Sequence, residues 1–333
     1  MTNDLCIGVI GATGALGSEV LALLAESSLH VKQLVPIGTE RSLGQEIEFR
    51  DLLAPVETDS VSLRGLDLVF LCAPEAASMK FAQEALRAEV ACIDVSGALC
   101  ESPDVELRVA VFGVPAASEP SPLLVAPPGA CLPLALVLRP LEEAAGLRRV
   151  TGTVLEGASS GGRQGIDSLY RETVALFNQE EPPDPTVFPR PVAFDCGPIA
   201  GDPDAEGPTD RETRTMDALR RLLLGDAGVA LTHVQVPTFI GFGASVALET
   251  ERLLDPTLAE AVLGKAAGVE RWDDPIDGLT LRAAAGREEV LVGRVRQDPS
   301  CQNGLLLWIT ADVLRVAAAN AVRLAVGRFG QHH

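Results

Sequence analysis

The first part of the chain alternates short apolar runs with stretches whose apolar residues recur at helical spacing. Residues 5–10 form the first run and residues 18–24 the first helical stretch. Residues 31–37 read as a second strand. Residues 66–72 are apolar except for Asp67, as a strand buried on both faces should be. An amphipathic helix over 75–88 follows, then a strand over 90–95. Residues 123–126 make the last strand before Pro127-Pro128-Gly129, a strong interruption. This order of strand and helix predicts an α/β unit built on a parallel, doubly wound sheet.

Beyond the interruption the rhythm changes. A helix is predicted over 131–145, with Pro133 tolerated in its first turn. A long strand over 148–156 leads into Ser159-Ser160-Gly161-Gly162 and a helix over about 163–177. Residues 178–208 are rich in Pro, Asp and Glu. They read as a surface excursion rather than a linker, because apolar segments follow that must pack back. A helix over 210–224 precedes strands over 229–237, 244–251, 290–297 and 305–310, the makings of a second sheet. An Ala-rich helix over 312–327 closes the chain. The apolar faces of these strands exceed what one small sheet buries, which predicts a homodimer through this half.

With 333 residues and 47% apolar content the chain is long for one core, and two domains are expected. The formal charge of −19 repels phosphate backbones and anionic lipid, so neither nucleic acid nor a membrane is an expected partner. No apolar run reaches the roughly 18 residues of a membrane span. The richest, 309–326, is broken by Asp312, Arg315 and Arg323. The fold is expected to start at about Leu5 with no leader ahead of it. The seven cysteines are scattered without a Cys-x-x-Cys pair. That points away from zinc, other metal sites and disulfide frameworks, and toward a reducing cytoplasm. Cys6, Cys72 and Cys92 fall inside apolar strands and read as small core residues. Only three lysines, Lys32, Lys80 and Lys265, stand among the 27 basic residues, so a Schiff-base lysine has few candidates.

Candidate chemistry begins at Gly11-Ala12-Thr13-Gly14-Ala15-Leu16-Gly17, between the first strand and the first helix. Gly11 lets the chain turn tightly, Gly14 removes a side chain where a pyrophosphate would approach, and Gly17 lets the helix pack on the strand. The N–H groups of the helix's first turn then face an anion. Arg41-Ser42, in the loop after the second strand, suits a dianionic phosphate; a solvated loop arginine is the plain alternative. Ser160-Gly161-Gly162 either holds an anion at a helix N-terminus or simply caps the helix. Cys131, in the first turn of a helix, feels a dipole that favours its thiolate; the plain alternative is a half-buried cysteine with no histidine to serve it. The histidines are His30, His233, His332 and His333, and strand alternation leaves His233 packed or facing solvent.

Taken together, these blocks resemble the aspartate-semialdehyde dehydrogenase family over nearly the whole chain. The glycine turn is one. Arg41-Ser42-Leu43-Gly44 is similar to an Arg-Ser-x-Gly that reads the adenosine 2′-phosphate of NADP. Ile93-Asp94-Val95-Ser96-Gly97-Ala98-Leu99 resembles the strand and turn after the cofactor site, and Ser160-Gly161-Gly162 a glycine turn of the second domain. The tail adds Gly293-Arg294-Val295-Arg296-Gln297-Asp298, Asn303-Gly304-Leu305-Leu306-Leu307-Trp308 and Ala318-Ala319-Asn320-Ala321-Val322. The resemblance implies a Rossmann NAD(P)-binding domain over 1–130, an α+β dimerisation and catalytic-type domain over 131–308, and a C-terminal helix, 309–333, returning to the first domain. It implies NADP held by Gly11, Thr13, Gly14, Ala15, Leu16, Gly17, Arg41 and Ser42, and anion contacts from Ser160, Gly161 and Arg214. The implied activity is NADP-dependent oxidation of an aldehyde in amino-acid biosynthesis, with a cysteine nucleophile and a histidine acid/base.

The catalytic positions depart from that pattern. The text matching the nucleophile motif is Ala126-Pro127-Pro128-Gly129-Ala130-Cys131, and no register lands on Cys131. Phe242 holds the acid/base position, Gln235 that of an arginine, Cys100 that of the phosphate-side arginine and Ala218 that of an acid. Pro74 and Glu75 replace glycines of a second glycine-rich segment. The departures resemble the USG-1-like branch of the family. The expectation is a catalytically impaired protein that retains NADP(H) binding. The alternative is an active aldehyde oxidoreductase using Cys131, with His233, Glu156 or Asp312 as its acid/base.

Overall fold

The apolar run Leu5–Ile10 becomes β1, with Ile7 and Val9 fully buried. In this computed structural model, which describes residues 4–58, 60–102, 104–113, 122–198, 207–274 and 278–330, the chain divides into two compact units. Unit 1 is Met1–Pro128 with Ala317–His333, and unit 2 is Gly129–Val316.

In unit 1, β1 is followed by α1 (Ala15–Glu26), β2 (Val31–Ile37) and a hairpin of β3 (Glu46–Phe49) and β4 (Leu52–Pro55). Then come β5 (Leu68–Leu71), α2 (Glu75–Arg87), β6 (Ala91–Asp94) and β7 (Leu123–Val125). The main sheet is parallel in the order β2-β1-β5-β6-β7. The chain runs outward from β1 to β2 and then resumes on the other side at β5. The turn after β1 therefore lies at the switch point of a Rossmann-type sheet, where such sheets bind ligands. Ile10, Val69, Leu71, Phe81 and Cys92 join the sheet to α2 in one cluster. Burial, with Asp94 adding to it, pushes the thiols of Cys72 and Cys92 far up, so both serve as small core residues.

Unit 2 begins with α3 (Cys131–Ala145), β8 (Leu147–Glu156), α4 (Gly162–Phe177) and α5 (Asp210–Leu222). It continues with β9 (Gly228–Gln235), β10 (Phe242–Thr250), α6 (Pro256–Leu263), β11 (Val269–Arg271) and the one-turn α7 (Leu281–Ala284). The strands β12 (Val290–Gln297) and β13 (Gly304–Ala311) complete a mixed sheet in the order β11-β12-β13-β10-β8-β9. Strand β10 pairs antiparallel with β8 and β13, and β8 pairs parallel with β9. Alternation divides each strand. Val150, Val154, Val229, Leu231, Val246 and Leu248 are buried on the face that the helices cover. Thr151, Thr153, Ala230, Thr232, Ser245 and Ala247 alternate with them and line an open face.

The last helix, α8 (Val313–Phe329), changes unit between Val316 and Ala317. Strand β13 runs through residue 308, where the sequence placed a boundary. Asp312 accepts from the N–H groups of Leu314 and Arg315 at the start of α8, and from Gly286 N at 2.9 Å. Within unit 1, Asn320 accepts from Ala110 N at 2.7 Å and donates to the Arg108 carbonyl at 3.1 Å. This gives the Ala-Ala-Asn of the tail a structural task. Among the described residues no helix is long and apolar enough to cross a membrane.

Candidate functional site

Unit 1 carries the glycine turn. Gly11 has φ +80°, and a Cβ there would meet Ala73 N and the Cys72 carbonyl at 2.9 Å. A Cβ at Gly17 would fall on the Gly11 carbonyl oxygen, so α1 lies against the turn only because that side chain is missing. Gly14 is the N-cap of α1. No side chain caps the helix and its first turn holds no acid, which leaves the N–H end open to an anion. Thr13 Oγ1 and Ser42 Oγ lie 3.0 Å apart, although 29 residues separate them in sequence. That bond ties the turn to the short 3-10 helix Glu40–Ser42, in which Ser42 is buried and Arg41 exposed. The expected cofactor residues Gly11, Thr13, Gly14, Ala15, Leu16, Gly17, Arg41 and Ser42 thus come together at one edge of this unit. Pro74 serves as N-cap of α2, next to the Ala73 that abuts Gly11.

After β6, the buried Asp94 carboxylate accepts from Ser96 N, Ser96 Oγ and Leu99 N at 2.9, 2.6 and 2.9 Å. Burial raises its pKa against the lowering effect of these bonds. The bonds fix the turn that precedes the buried Cys100.

In unit 2 a polar cluster sits at the C-terminal ends of β8 and β9. Glu156 pairs with Gln235 across β8–β9 and with Phe242 across β8–β10. Opposite residues of paired strands share a face, so Phe242, Glu156 and Gln235 point the same way. His233 lies two residues before Gln235 and points there too. His233 is 0% exposed, and its Nδ1–H donates to Glu156 Oε1 at 2.6 Å. Arg211 Nη1 donates to Glu156 Oε2 at 2.7 Å. Burial alone would raise the Glu156 carboxyl. The His233 bond and the Arg211 charge outweigh it and hold the pKa at about 2, so the group is an anion.

Helix α5 delivers Arg211. Thr209 and Glu212 form a capping box, with Glu212 N donating to Thr209 Oγ1 at 3.2 Å and Thr209 N to Glu212 Oε2 at 2.7 Å. The other Glu212 oxygen accepts from His233 N at 2.8 Å and pins the helix start to β9. Arg214, the arginine expected to bind an anion, is half-buried one turn further on from Arg211, which bonds Glu156.

A segment of the 178–208 excursion closes the cluster. Phe188 packs with Ala158 and Leu169, and the buried Glu172 of α4 accepts from Val192 N and Ala193 N at 2.7 and 2.9 Å. Gly197 then exchanges both backbone hydrogen bonds with Gln235, at 3.1 and 2.9 Å. Gly161, the N-cap of α4, would clash with Val187 and Phe188 if it carried a Cβ, so the segment needs this glycine for its close approach. The Oγ of Ser160 is buried beside it. Residues 199–206 of the excursion, and His332 and His333, lie outside the described residues.

Cys131 is the first residue of α3 and 0% exposed. The sequence left it half-buried; the apolar first turn of α3 buries it fully. Of the two options for His233, packed or facing solvent, the structure shows it packed. Its strand mates Val229 and Leu231 are core residues, so alternation carries it inward, where the Glu156 carboxylate satisfies one ring nitrogen. That same alternation was the sequence signal for its burial. Nothing in the sequence marked Arg211. Asp312 is spent on capping α8.

Known proteins share this fold. The family model for the semialdehyde dehydrogenase NAD binding domain matches residues 6–119, and that for the semialdehyde dehydrogenase dimerisation domain matches residues 138–316. The chain is 30% identical to an aspartate-semialdehyde dehydrogenase of Rickettsia bellii over 98% of both chains. It is 34% identical to a USG-1 protein homolog of Pseudomonas aeruginosa over 97% of both. Its fold superposes on the crystal structure of aspartate semialdehyde dehydrogenase II from Vibrio cholerae with a TM-score of 0.90, at 28% identity over 97% of this chain and 98% of the other. Both units and nearly the full length are covered, and the chain therefore belongs to the semialdehyde dehydrogenase family.

Proposed function

We propose that this protein is a cytoplasmic, NADP(H)-binding relative of aspartate-semialdehyde dehydrogenase in which phosphate-dependent oxidation of the semialdehyde is impaired, so that it acts chiefly by binding. One observation carries the reading. The position that the resemblance gives to the acid/base histidine holds the Phe242 ring, 1% exposed and directly across the β8–β10 ladder from Glu156. A phenyl ring moves no proton. The full burial of Cys131 adds to this, because an attacking thiolate must be reached by its substrate. The open first turn of α1 and the Thr13–Ser42 bond beside exposed Arg41 support NADP as the cofactor. The open face of Thr151, Thr153, Ala230 and Ala247 supports a homodimer through unit 2.

The test is NADPH formation from aspartate semialdehyde and phosphate, in the parent and in Cys131→Ala. Negligible turnover in both is expected. Robust turnover that vanishes in Cys131→Ala would overturn the reading. That outcome belongs to a second reading, an active aldehyde oxidoreductase using Cys131, which one observation favours: His233 and Glu156 form a bonded imidazole–carboxylate pair in the same unit.

A further inference from the structure

The stretch Gly293-Arg294-Val295-Arg296-Gln297-Asp298 takes no part in the glycine turn or in the Glu156 cluster. It forms the irregular end of β12. The pairing of β12 with β13 shifts register between Gly293 and Arg296, and Arg294 has φ +57°. A residue other than glycine holds that left-handed conformation only where its surroundings impose it. A Cβ at Gly293 would meet the Trp272 carbonyl oxygen at 2.8 Å and a Leu279 methyl at 2.7 Å, so the strand is pressed onto the segment that follows β11. The bulge beyond this contact re-aims the arginine side chains.

Strand β11 pairs with β12 only as far as Arg271 opposite Val292. Beyond that point a groove of about 210 Å³ is lined by Glu260, Trp272, Asp273, Arg294, Val295 and Arg296. Trp272 is a fixed wall. Its N–H donates to the Val292 carbonyl at 2.8 Å, its ring fills the place of a side chain at Gly278, and the Arg287 guanidinium lies 5.3 Å from the ring centre. Arg294 and Arg296 are exposed. Arg296 folds back over the bulge, with Nη1 donating to the Arg294 carbonyl at 2.9 Å, so both arginines border the same groove. The acids nearby are already engaged. Arg271 binds Glu260 at 3.4 Å and Asp273 at 2.6 Å, and Asp298 directs Oδ1 to Ser300 N and Oγ at 2.8 and 2.7 Å. Among the described residues neither Arg294 nor Arg296 forms an ion pair. The chain has 46 acids against 27 bases, so its overall field repels anions, and an anion held in this groove is held by these two groups.

We propose that Arg294 and Arg296 form a binding site for the phosphate group of a small phosphorylated metabolite. The terminal oxygens of a phosphomonoester accept from two guanidinium forks at once. Val295 and Trp272 border the space for the organic part. The groove is smaller than the roughly 300–1,000 Å³ of a cofactor-sized pocket, which suits a short ester rather than a dinucleotide. The site is separate from the Glu156 cluster, because β13 and β10 lie between β12 and β8 in the sheet, a separation of roughly 14 Å. It stands whether or not unit 1 binds NADP.

The experiment is calorimetric titration of the full-length protein with glycerol 3-phosphate and with inorganic phosphate, in about 0.15 M salt to screen unspecific attraction. Glycerol 3-phosphate is expected to bind with a Kd of about 1 mM or tighter, and more tightly than inorganic phosphate. Arg296→Ala removes one guanidinium. Arg294→Gly removes the other and places at φ +57° the residue best suited to it. Each variant is expected to weaken binding about tenfold or more, and Arg294→Gly is expected to unfold at or above the parental temperature. The proposal is overturned if the parent binds neither ligand, or if either variant binds as tightly as the parent. Tighter binding of inorganic phosphate, lost in both variants, would sustain the anion site and assign it to the free ion.

Discussion

His233 and Glu156 are 77 residues apart in sequence, yet Nδ1 of the one lies 2.6 Å from Oε1 of the other in a site that excludes solvent. The bond fixes the orientation of the imidazole, since an ionised carboxylate accepts only from Nδ1–H, and it aims Nε2 away from Glu156. Arg211 completes the set by neutralising the charge that burial would otherwise penalise.

This geometry makes stability depend on pH in a defined window. The folded pKa of Glu156, about 2, lies below its ordinary value of 4.5. A depressed acid contributes its stabilisation in full above the unfolded value and loses it as pH falls through the folded one. Replacing Glu156 by Gln is expected to cost about 1.5–3 kcal/mol at pH 7. The gap between parent and variant in urea midpoints should close as pH drops from 4.5 toward 2. A gap that stays constant over that range would show that the carboxylate charge contributes nothing.

Gly17→Ala tests the glycine turn. The added Cβ would meet the Gly11 carbonyl carbon at 2.8 Å and Ala12 Cα at 2.9 Å, both backbone atoms that cannot swing away. A loss of about 1–3 kcal/mol is expected from the forced shift, together with weakened NADPH binding. Thermal unfolding and fluorescence titration of the purified variant measure both effects.

If NADP is the cofactor as proposed, Arg41→Ala should weaken NADPH more than NADH, because a guanidinium suits the 2′-phosphate that only NADPH carries. Ser42→Ala removes only the 3.0 Å bond to Thr13 and should have a smaller effect on both cofactors. Equal affinities of the parent for NADPH and NADH would refute this assignment.

Phe242→His puts a titratable ring across from Glu156 but supplies no accessible nucleophile. Groups that act as a unit do not return activity singly. Turnover with aspartate semialdehyde is expected to stay at the parental background, although an acid/base alone is typically worth about 10²–10⁴ in rate. Recovery of that size from this one substitution would mean that the nucleophile is already in place.

Thr153 sits exposed on the open face of the second sheet, between the half-buried Gly152 and the buried Val154. Thr153→Arg places a charge in the expected dimer contact without touching the covered face. Sedimentation at micromolar concentration should give a dimer for the parent and a monomer for the variant, with the fold intact by circular dichroism. A monomeric parent would remove the proposal.

The elements of this protein were largely legible because each depends on local pattern. The doubly wound sheet follows from apolar runs at β1, β5 and β6 that are buried on both faces. Helix α3 spans Cys131–Ala145 and β12 spans Val290–Gln297, both as their periodicity predicts, and the glycine turn follows from spacing and context. The elements less visible in the sequence, such as β3, β4 and β11, are only three or four residues long and carry too few positions to express a period. The second polar cluster was decided by tertiary structure alone. Glu156, His233 and Arg211 come from two strands and a helix start, and only the β8–β9 register and the capping of α5 bring them within bonding distance. A sequence pattern specifies which way a side chain points along its own strand or helix. It does not specify which charge from a distant segment arrives to meet it, because that depends on how the covering elements dock, and docking is set by packing over the whole face.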